Sequence, residues 1–413
     1  MKLSGFSLIL IATAVSGIAS YVVTWLVPRQ VGFAHYAPFA VFWSFLYLVV
    51  GTLSGIQQEV TRATAPVSTA SGQAHRARNF AVVAGVVVFV LVIATAPAWA
   101  QSTFADAEWS LVWPLAVGTS SYVFVAVLAG SLYGLSRWLP LAMMMTTDAI
   151  LRLAAVSIVL IFTKDVVALA WAVALPFPGA ILLLWLFIRR SVAGRTAMDV
   201  GYGALTWNVA RTIVAAASMS AMVSGFPFLL SVTSAGQPPA LVGLFILSIT
   251  LTRAPLIVVT MSLQSYFVVT FRSRATRFRR EFLKLQAIVA VAGVVFAALG
   301  WAIGPAVFGI LFPGQALPDG WFIAVLVASS ALVGALCISA PAVLARSQHL
   351  VYSAGWVLAA MVTIIALLLP FDFTTRTVIS LLVGPAVGLV VHAIYLTRAH
   401  RADRKESQIP VAT

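Results

Sequence analysis

Charge is what this sequence has least of: Asp, Glu, Lys and Arg make up 9% of its 413 residues, and only 11 of those are acidic. Soluble domains carry about a quarter charged residues, so a fully water-exposed globular surface is excluded. Cysteine occurs once, as Cys337, which rules out an intramolecular disulfide. The five histidines, His35, His75, His349, His392 and His400, are scattered, and no Cys/His cluster has metal-ligand spacing. Neither a metal nor another cofactor is expected. Catalytic motifs are missing too: there is no Walker phosphate loop, no HExxH and no GxSxG elbow. The first outer join, Pro28–Ala37, lacks the acidic pair expected of a membrane glycosyltransferase. No outer segment is large enough for a polysaccharide polymerase or ligase, and no filter-like loop suits a channel. The chain reads as a non-enzyme.

Apolar residues are abundant instead, at 62%, with a mean hydropathy of +1.04. Runs of about 18 or more recur along the chain, each able to cross a hydrocarbon layer roughly 30 Å thick. Barrel strands would alternate over roughly 10 residues, so the crossings are helices. The expected spans are 5–27, 37–60, 79–99, 111–135, 141–163, 166–188, 207–232, 240–268, 285–312, 321–345, 349–370 and 377–397. The opening run passes the small residues Ser16–Ser20 and continues to Val27, too long for a signal-peptide core, so it reads as a retained helix. Short turns at Lys164-Asp165 and at Arg346–His349 make their flanking spans antiparallel neighbours.

A net charge of +14 and a pI of 10.7 would suit nucleic acid, but the basic residues cluster in short joins between apolar runs, where membrane insertion places them. With the N-terminus inside, 19 of the 25 Lys and Arg fall on cytoplasmic segments. Outer segments receive only Arg29, Lys164 and Arg376, together with Asp106, Glu108, Asp165, Asp319 and Asp372. This asymmetry predicts an even number of spans in the cytoplasmic membrane, with both termini in the cytoplasm. The expected fold is an all-α polytopic membrane protein of about 12 transmembrane helices in two six-helix lobes, 1–190 and 207–397. A cytoplasmic loop, 191–206, joins them, and a basic tail, 398–413, follows. The arginine-rich stretch Phe271–Lys284, interleaved with Phe278 and Phe282, reads either as an amphipathic helix on the inner leaflet or as an ordinary positive-inside loop.

Charges inside the spans carry the functional information, because each is costly at the bilayer centre without a wet cavity or a partner. Asp148 and Arg152 lie four apart on one helix face and form either a structural ion pair or part of a cavity. Arg253 falls near the middle of span eight with no acid nearby in sequence, and Pro255 is expected to break the helix there. It is the best candidate to contact an anionic ligand, the alternative being a buried partner such as Asp148. Arg211 lies where it could line the cavity or snorkel to headgroups. Glu59, beside Arg62, is either an ion- or proton-coupling group or an exposed helix-end carboxylate.

At the first two spans the residues resemble a known family. The stretch Pro28–Phe39 has an arginine, a glycine and an aromatic (Arg29, Gly32, Tyr36) where polysaccharide flippases place them, with Ala37 replacing the usual second glycine. Ser54–Ala63 then repeats a glycine, a six-residue gap and an arginine, Gly55 and Arg62. The chain thus resembles the multidrug/oligosaccharidyl-lipid/polysaccharide (MOP) exporter superfamily, flippase branch, over about 35 residues. Major-facilitator transporters also have twelve helices, but the acidic-arginine-glycine pattern after helix two is absent. The resemblance implies two six-helix lobes around a central cavity. It also implies alternating-access transport of a polyprenyl-diphosphate-linked oligosaccharide for cell-envelope polysaccharide synthesis. The partners would be this anionic lipid-linked glycan, membrane lipids and glycan-synthesis enzymes, with no nucleic acid. A diphosphate needs cations, and Arg253, Arg152 and Arg211 are available. Two alternatives stand: a cation-coupled small-molecule exporter using Asp148, and a non-transporting membrane scaffold.

Overall fold

The computed structural model describes residues 5–64, 75–104, 108–192, 197–234, 236–262, 267, 271, 278–346 and 348–406. Nearly all of them are helical. In chain order the helices are α1 (Gly5–Ala63), α2 (Ala77–Phe104), α3 (Glu108–Gly134), α4 (Trp138–Phe162), α5 (Val166–Ala174), α6 (Pro176–Val192) and α7 (Tyr202–Val223). They continue with α8 (Phe226–Val232), α9 (Pro239–Ser262), α10 (Phe278–Leu311), α11 (Gly320–Leu344), α12 (His349–Leu367) and α13 (Phe373–Glu406). Among the described residues, 9 helices are long and apolar enough to cross a membrane, or 10 if the bent pair α7–α8 is one span. The chain is a multi-pass helical membrane protein. Helix α13 carries the basic tail as far as Glu406, and Arg272, Arg274 and Arg277 of the arginine-rich stretch lie outside the described residues.

Helix α1 is 59 residues long, or about 90 Å at 1.5 Å per residue, nearly three hydrocarbon thicknesses. It therefore holds two spans. The outer loop expected at Pro28–Ala37 is not a loop: helix runs through it, interrupted only at Gly32 (φ 77°, ψ 163°). A side chain there would face the steric cost of positive φ, so a glycine suffices to turn one span into the next. Proline acts unevenly elsewhere. Pro176 and Pro178 separate α5 from α6, and Pro227 begins α8 after a 74° bend. At Pro255 the expected break does not occur, since α9 runs on to Ser262. A proline removes one ladder hydrogen bond, which a membrane helix can absorb.

The chain forms two compact units, Met1–Leu247 with Leu311–Gln315, and Ser248–Ile310 with Ala316–Thr413. In the first, the second half of α1 lies antiparallel along α7. Gly55 meets Ile213 so closely that a Cβ would sit 3.2 Å from its amide nitrogen, and Gly51 leaves room for Ser220. Small residues four apart let two membrane helices approach in this way. Ser220 Oγ donates to the Leu48 carbonyl at 3.0 Å.

At the top of this seam, Ser44 Oγ donates to the Ser224 carbonyl (2.6 Å) and accepts from the Phe228 amide (3.0 Å). Those two backbone groups would bond each other in a straight helix. Ser44 is inserted into the ladder, and this insertion accompanies the bend between α7 and α8. Ser44→Val is expected to leave both groups without this partner and to destabilise by about 1–3 kcal/mol. Thermal unfolding in detergent measures it; an unchanged midpoint would remove Ser44 from this role.

The loops after α1 and α6 also meet in the first unit: His75–Arg76 (β1) pairs antiparallel with Ala197–Met198 (β2), His75 opposite Met198. The second unit packs α12 on α13 and α11 on α13. Asp372 starts α13 by accepting from the Thr375 amide at 2.9 Å, and hydrogen bonding from Thr375 holds its carboxyl below the usual range.

Candidate functional site

Among the described residues, a polar cluster inside the spans surrounds Arg152. Arg152 Nη2 donates to Asp148 Oδ1 at 2.8 Å, one turn earlier on α4. Its Nε donates to the Val173 carbonyl at 3.3 Å. That carbonyl lies at the end of α5, close to the prolines that open α6. The guanidinium also lies 4.7 Å from the ring centroid of Phe177 and 5.6 Å from that of Tyr47. Tyr122 braces Phe177 edge-on at 5.4 Å. Arg152 is buried, with its side chain 7% exposed, while Asp148 keeps 21%. Such a cage supplies what a buried guanidinium requires: an opposite charge, an acceptor in the plane and aromatic faces. Of the two sequence readings, an ion pair is therefore present, with one edge of Asp148 still accessible.

Glu59 is not an isolated helix-end carboxylate. Arg62 Nε donates to its Oε2 at 3.0 Å, and Thr212 Oγ1 of α7 donates to its Oε1 at 3.0 Å. The carboxylate ties the end of α1 to α7 across the small-residue seam. Arg211, next to Thr212, is exposed on α7, and Arg253 is buried at 4% on the part of α9 that belongs to the second unit. The structure thus brings Asp148 to Arg152 and Glu59 to Arg62. It places Arg211 apart from either cluster's bonds.

The motif positions have individual explanations. Arg29 is exposed and stands 5.1 Å over the Trp25 ring. Gly32 makes the break between spans, Tyr36 is buried beside Phe39, and Gly55 admits α7.

Several participants were invisible in sequence. Tyr47 and Phe177 look like ordinary core aromatics, and nothing in their local sequence places either beside a charge. His392 is fully buried in the second unit, its Nδ1 2.9 Å from Ser339 Oγ and its Nε2 3.4 Å from the Tyr352 carbonyl. Gly355 gives the ring its space. Both ring nitrogens have partners, so His392 ties α11, α12 and α13 together.

This arrangement is the fold of MATE-type transporters of the MOP superfamily. It superposes on a multidrug resistance MATE family transporter of that superfamily, in an inward-facing conformation, with a TM-score of 0.70 over 93% of this chain and 96% of the other, at 14% identity. A MOP superfamily transporter from Pyrococcus furiosus, for which a reversed polarity of the binding pocket suggests a different function, gives 0.57 over 96% of each chain at 14% identity. No protein-family model matches the chain. By sequence the chain belongs to the family of the Mycobacterium tuberculosis protein named "Uncharacterized protein Rv1510". The two are 33% identical over 394 residues, 94% of this chain and 90% of the relative. "Uncharacterized protein Mb3654" of Mycobacterium bovis is 29% identical over 391 residues, again 94% and 90%.

Proposed function

We propose that this protein is a transporter that moves an anionic, lipid-linked oligosaccharide, of the polyprenyl-diphosphate type, across the cytoplasmic membrane. The observation that supports this cargo is the sign of the charge inside the helices. Asp148 and Glu59 are each bound by an arginine. Helices α7 to α9 carry Arg211 and Arg253, and no acidic residue occurs between Asp199 and Glu281. A diphosphate entering such helices meets cationic groups and no carboxylate from α7 to α9. In this reading the chain works as two six-helix lobes, 1–190 and 207–397, with both termini cytoplasmic, alongside enzymes that build the glycan.

The MATE-type fold also supports a second reading, cation-coupled export of a small molecule, with the accessible edge of Asp148 as coupling group. The two readings separate on depletion of the protein. Lipid-linked glycan should accumulate on the cytoplasmic leaflet, measured by accessibility of the sugar to an added glycosidase in oriented vesicles. Unchanged glycan distribution, together with proton- or sodium-driven dye efflux lost in Asp148→Asn, would establish the exporter instead.

A further inference from the structure

Helix α10 is 34 residues long, yet its residues 285–311 hold no charge and cover the bilayer by themselves. At 1.5 Å per residue that uncharged part spans about 40 Å, more than the roughly 30 Å of hydrocarbon. The charged first turns, Phe278–Lys284, therefore stand at headgroup depth. They are two-faced. Phe278 and Phe282 stack with ring planes 2° apart and centroids 6.2 Å apart, and both pack on Phe271. These rings join a cluster with Val343, Leu396 and Tyr352, which brings the end of α11, the start of α12 and the late part of α13 to the same place. Arg279, Arg280 and Lys284 are exposed, and Arg280 and Lys284, four apart, share one face away from the aromatic one.

Two more basic groups gather at this end of the second unit. Arg346 lies 5.0 Å over the Phe278 ring, and Arg398 is exposed on α13. Among the described residues with described side chains, Glu281 is the only acid there; Asp319 and Asp372 begin α11 and α13 at the opposite ends of those helices. An aromatic wedge seated in protein, carrying exposed cations at headgroup level, suits an anionic phospholipid headgroup.

We infer that the Phe278–Lys284 turns form a binding site for anionic phospholipid headgroups, with Arg280 and Lys284 as the phosphate contacts and Arg346 stacked on Phe278 to hold the turn in place. The site is separate from the arginines assigned to cargo and does not depend on what that cargo is.

The test uses the purified, delipidated full chain in detergent, with phosphatidylglycerol and phosphatidylcholine as probes, read by native mass spectrometry and thermal unfolding. Phosphatidylglycerol should be retained and should raise the unfolding midpoint, whereas phosphatidylcholine should do neither. Arg280→Gln/Lys284→Gln should weaken phosphatidylglycerol retention about 30-fold and erase the midpoint shift. Arg189→Gln/Arg190→Gln, exposed basic residues at the end of α6 in the first unit, should leave both unchanged. Equal retention by the two double variants would reduce the effect to diffuse surface charge and overturn the site. So would equal stabilisation by the two lipids. A misfolded Arg280→Gln/Lys284→Gln protein is recognised by its elution profile, and Arg280→Lys, which keeps the charge, must then retain the lipid for the inference to stand.

Discussion

Asp148→Ala is expected to destabilise the protein by about 3–5 kcal/mol, because it leaves the Arg152 guanidinium buried in apolar helices with its counter-charge removed. The Val173 carbonyl and the rings of Tyr47 and Phe177 remain, but none of these neutralises a charge. The double variant Asp148→Ala/Arg152→Met should recover most of that loss, since removing both charges also removes their desolvation cost. Arg152→Met alone should cost less than Asp148→Ala, as Asp148 is the less buried partner, 21% exposed against 7% for Arg152. Unfolding midpoints of the four proteins in one detergent form a double-mutant cycle that checks this. Additive effects, with no recovery in the double variant, would mean that Arg152 is held by its aromatic cage and carbonyl rather than by Asp148. The cycle also bears on coupling. If Asp148 were the cation site of an exporter, the double variant would be stable yet inactive in ion-driven efflux.

Arg253 is the second position where a large effect is expected. It lies buried at 4% on a helix whose other residues, from Pro239 to Ser262, carry no charge. Under the proposed transport function, Arg253→Gln should reduce translocation of the lipid-linked glycan about 10- to 100-fold, the range for one charge-assisted contact to a phosphate. Arg253→Lys should restore part of it, because an ammonium keeps the charge and loses the bidentate fork. The measurement is transport in reconstituted vesicles, with folding verified separately by elution profile and unfolding midpoint. A folded Arg253→Gln protein with full transport would take Arg253 out of the cargo path. A protein that unfolds in proportion to its loss of transport would assign the residue a structural part instead.

Much of the helical architecture could be read one residue at a time. The apolar stretches lie on helices, and the Lys164-Asp165 turn separates α4 from α5 with Asp165 accepting from the Ala168 amide. Pro227 and Pro255 show where such reading stops. Both remove one hydrogen bond donor; Pro227 follows a 74° bend, whereas helix α9 continues past Pro255. At that bend a hydroxyl from another helix takes part: Ser44 stands between Phe228 and Ser224, 180 residues away from the carbonyl it serves. No pattern in residues 224–232 could have announced it. The same holds for Arg152. Its spacing to Asp148 pointed to the ion pair, but its other three contacts come from α5, α6 and α1. Glu59 read either as a coupling group or as an exposed helix-end carboxylate because its partner Thr212 is 153 residues away.

The sequence by itself determined that this protein lives in a membrane and that its crossings are helices. These follow from local quantities, namely the length of an apolar run and the need of each backbone amide for a partner where water is absent. Tertiary structure alone decided that Gly32 joins two spans without a loop, that Ser44 enters the bend of α7, that His75–Arg76 pairs with Ala197–Met198 and that Arg152 sits in an aromatic cage. Three of these are agreements between segments distant in the chain. The fourth, the turn at Gly32, depends on how α1 is held on both sides of one residue. Hydrophobicity places each helix in the bilayer, and only the fit of one helix against another determines which polar groups meet inside it.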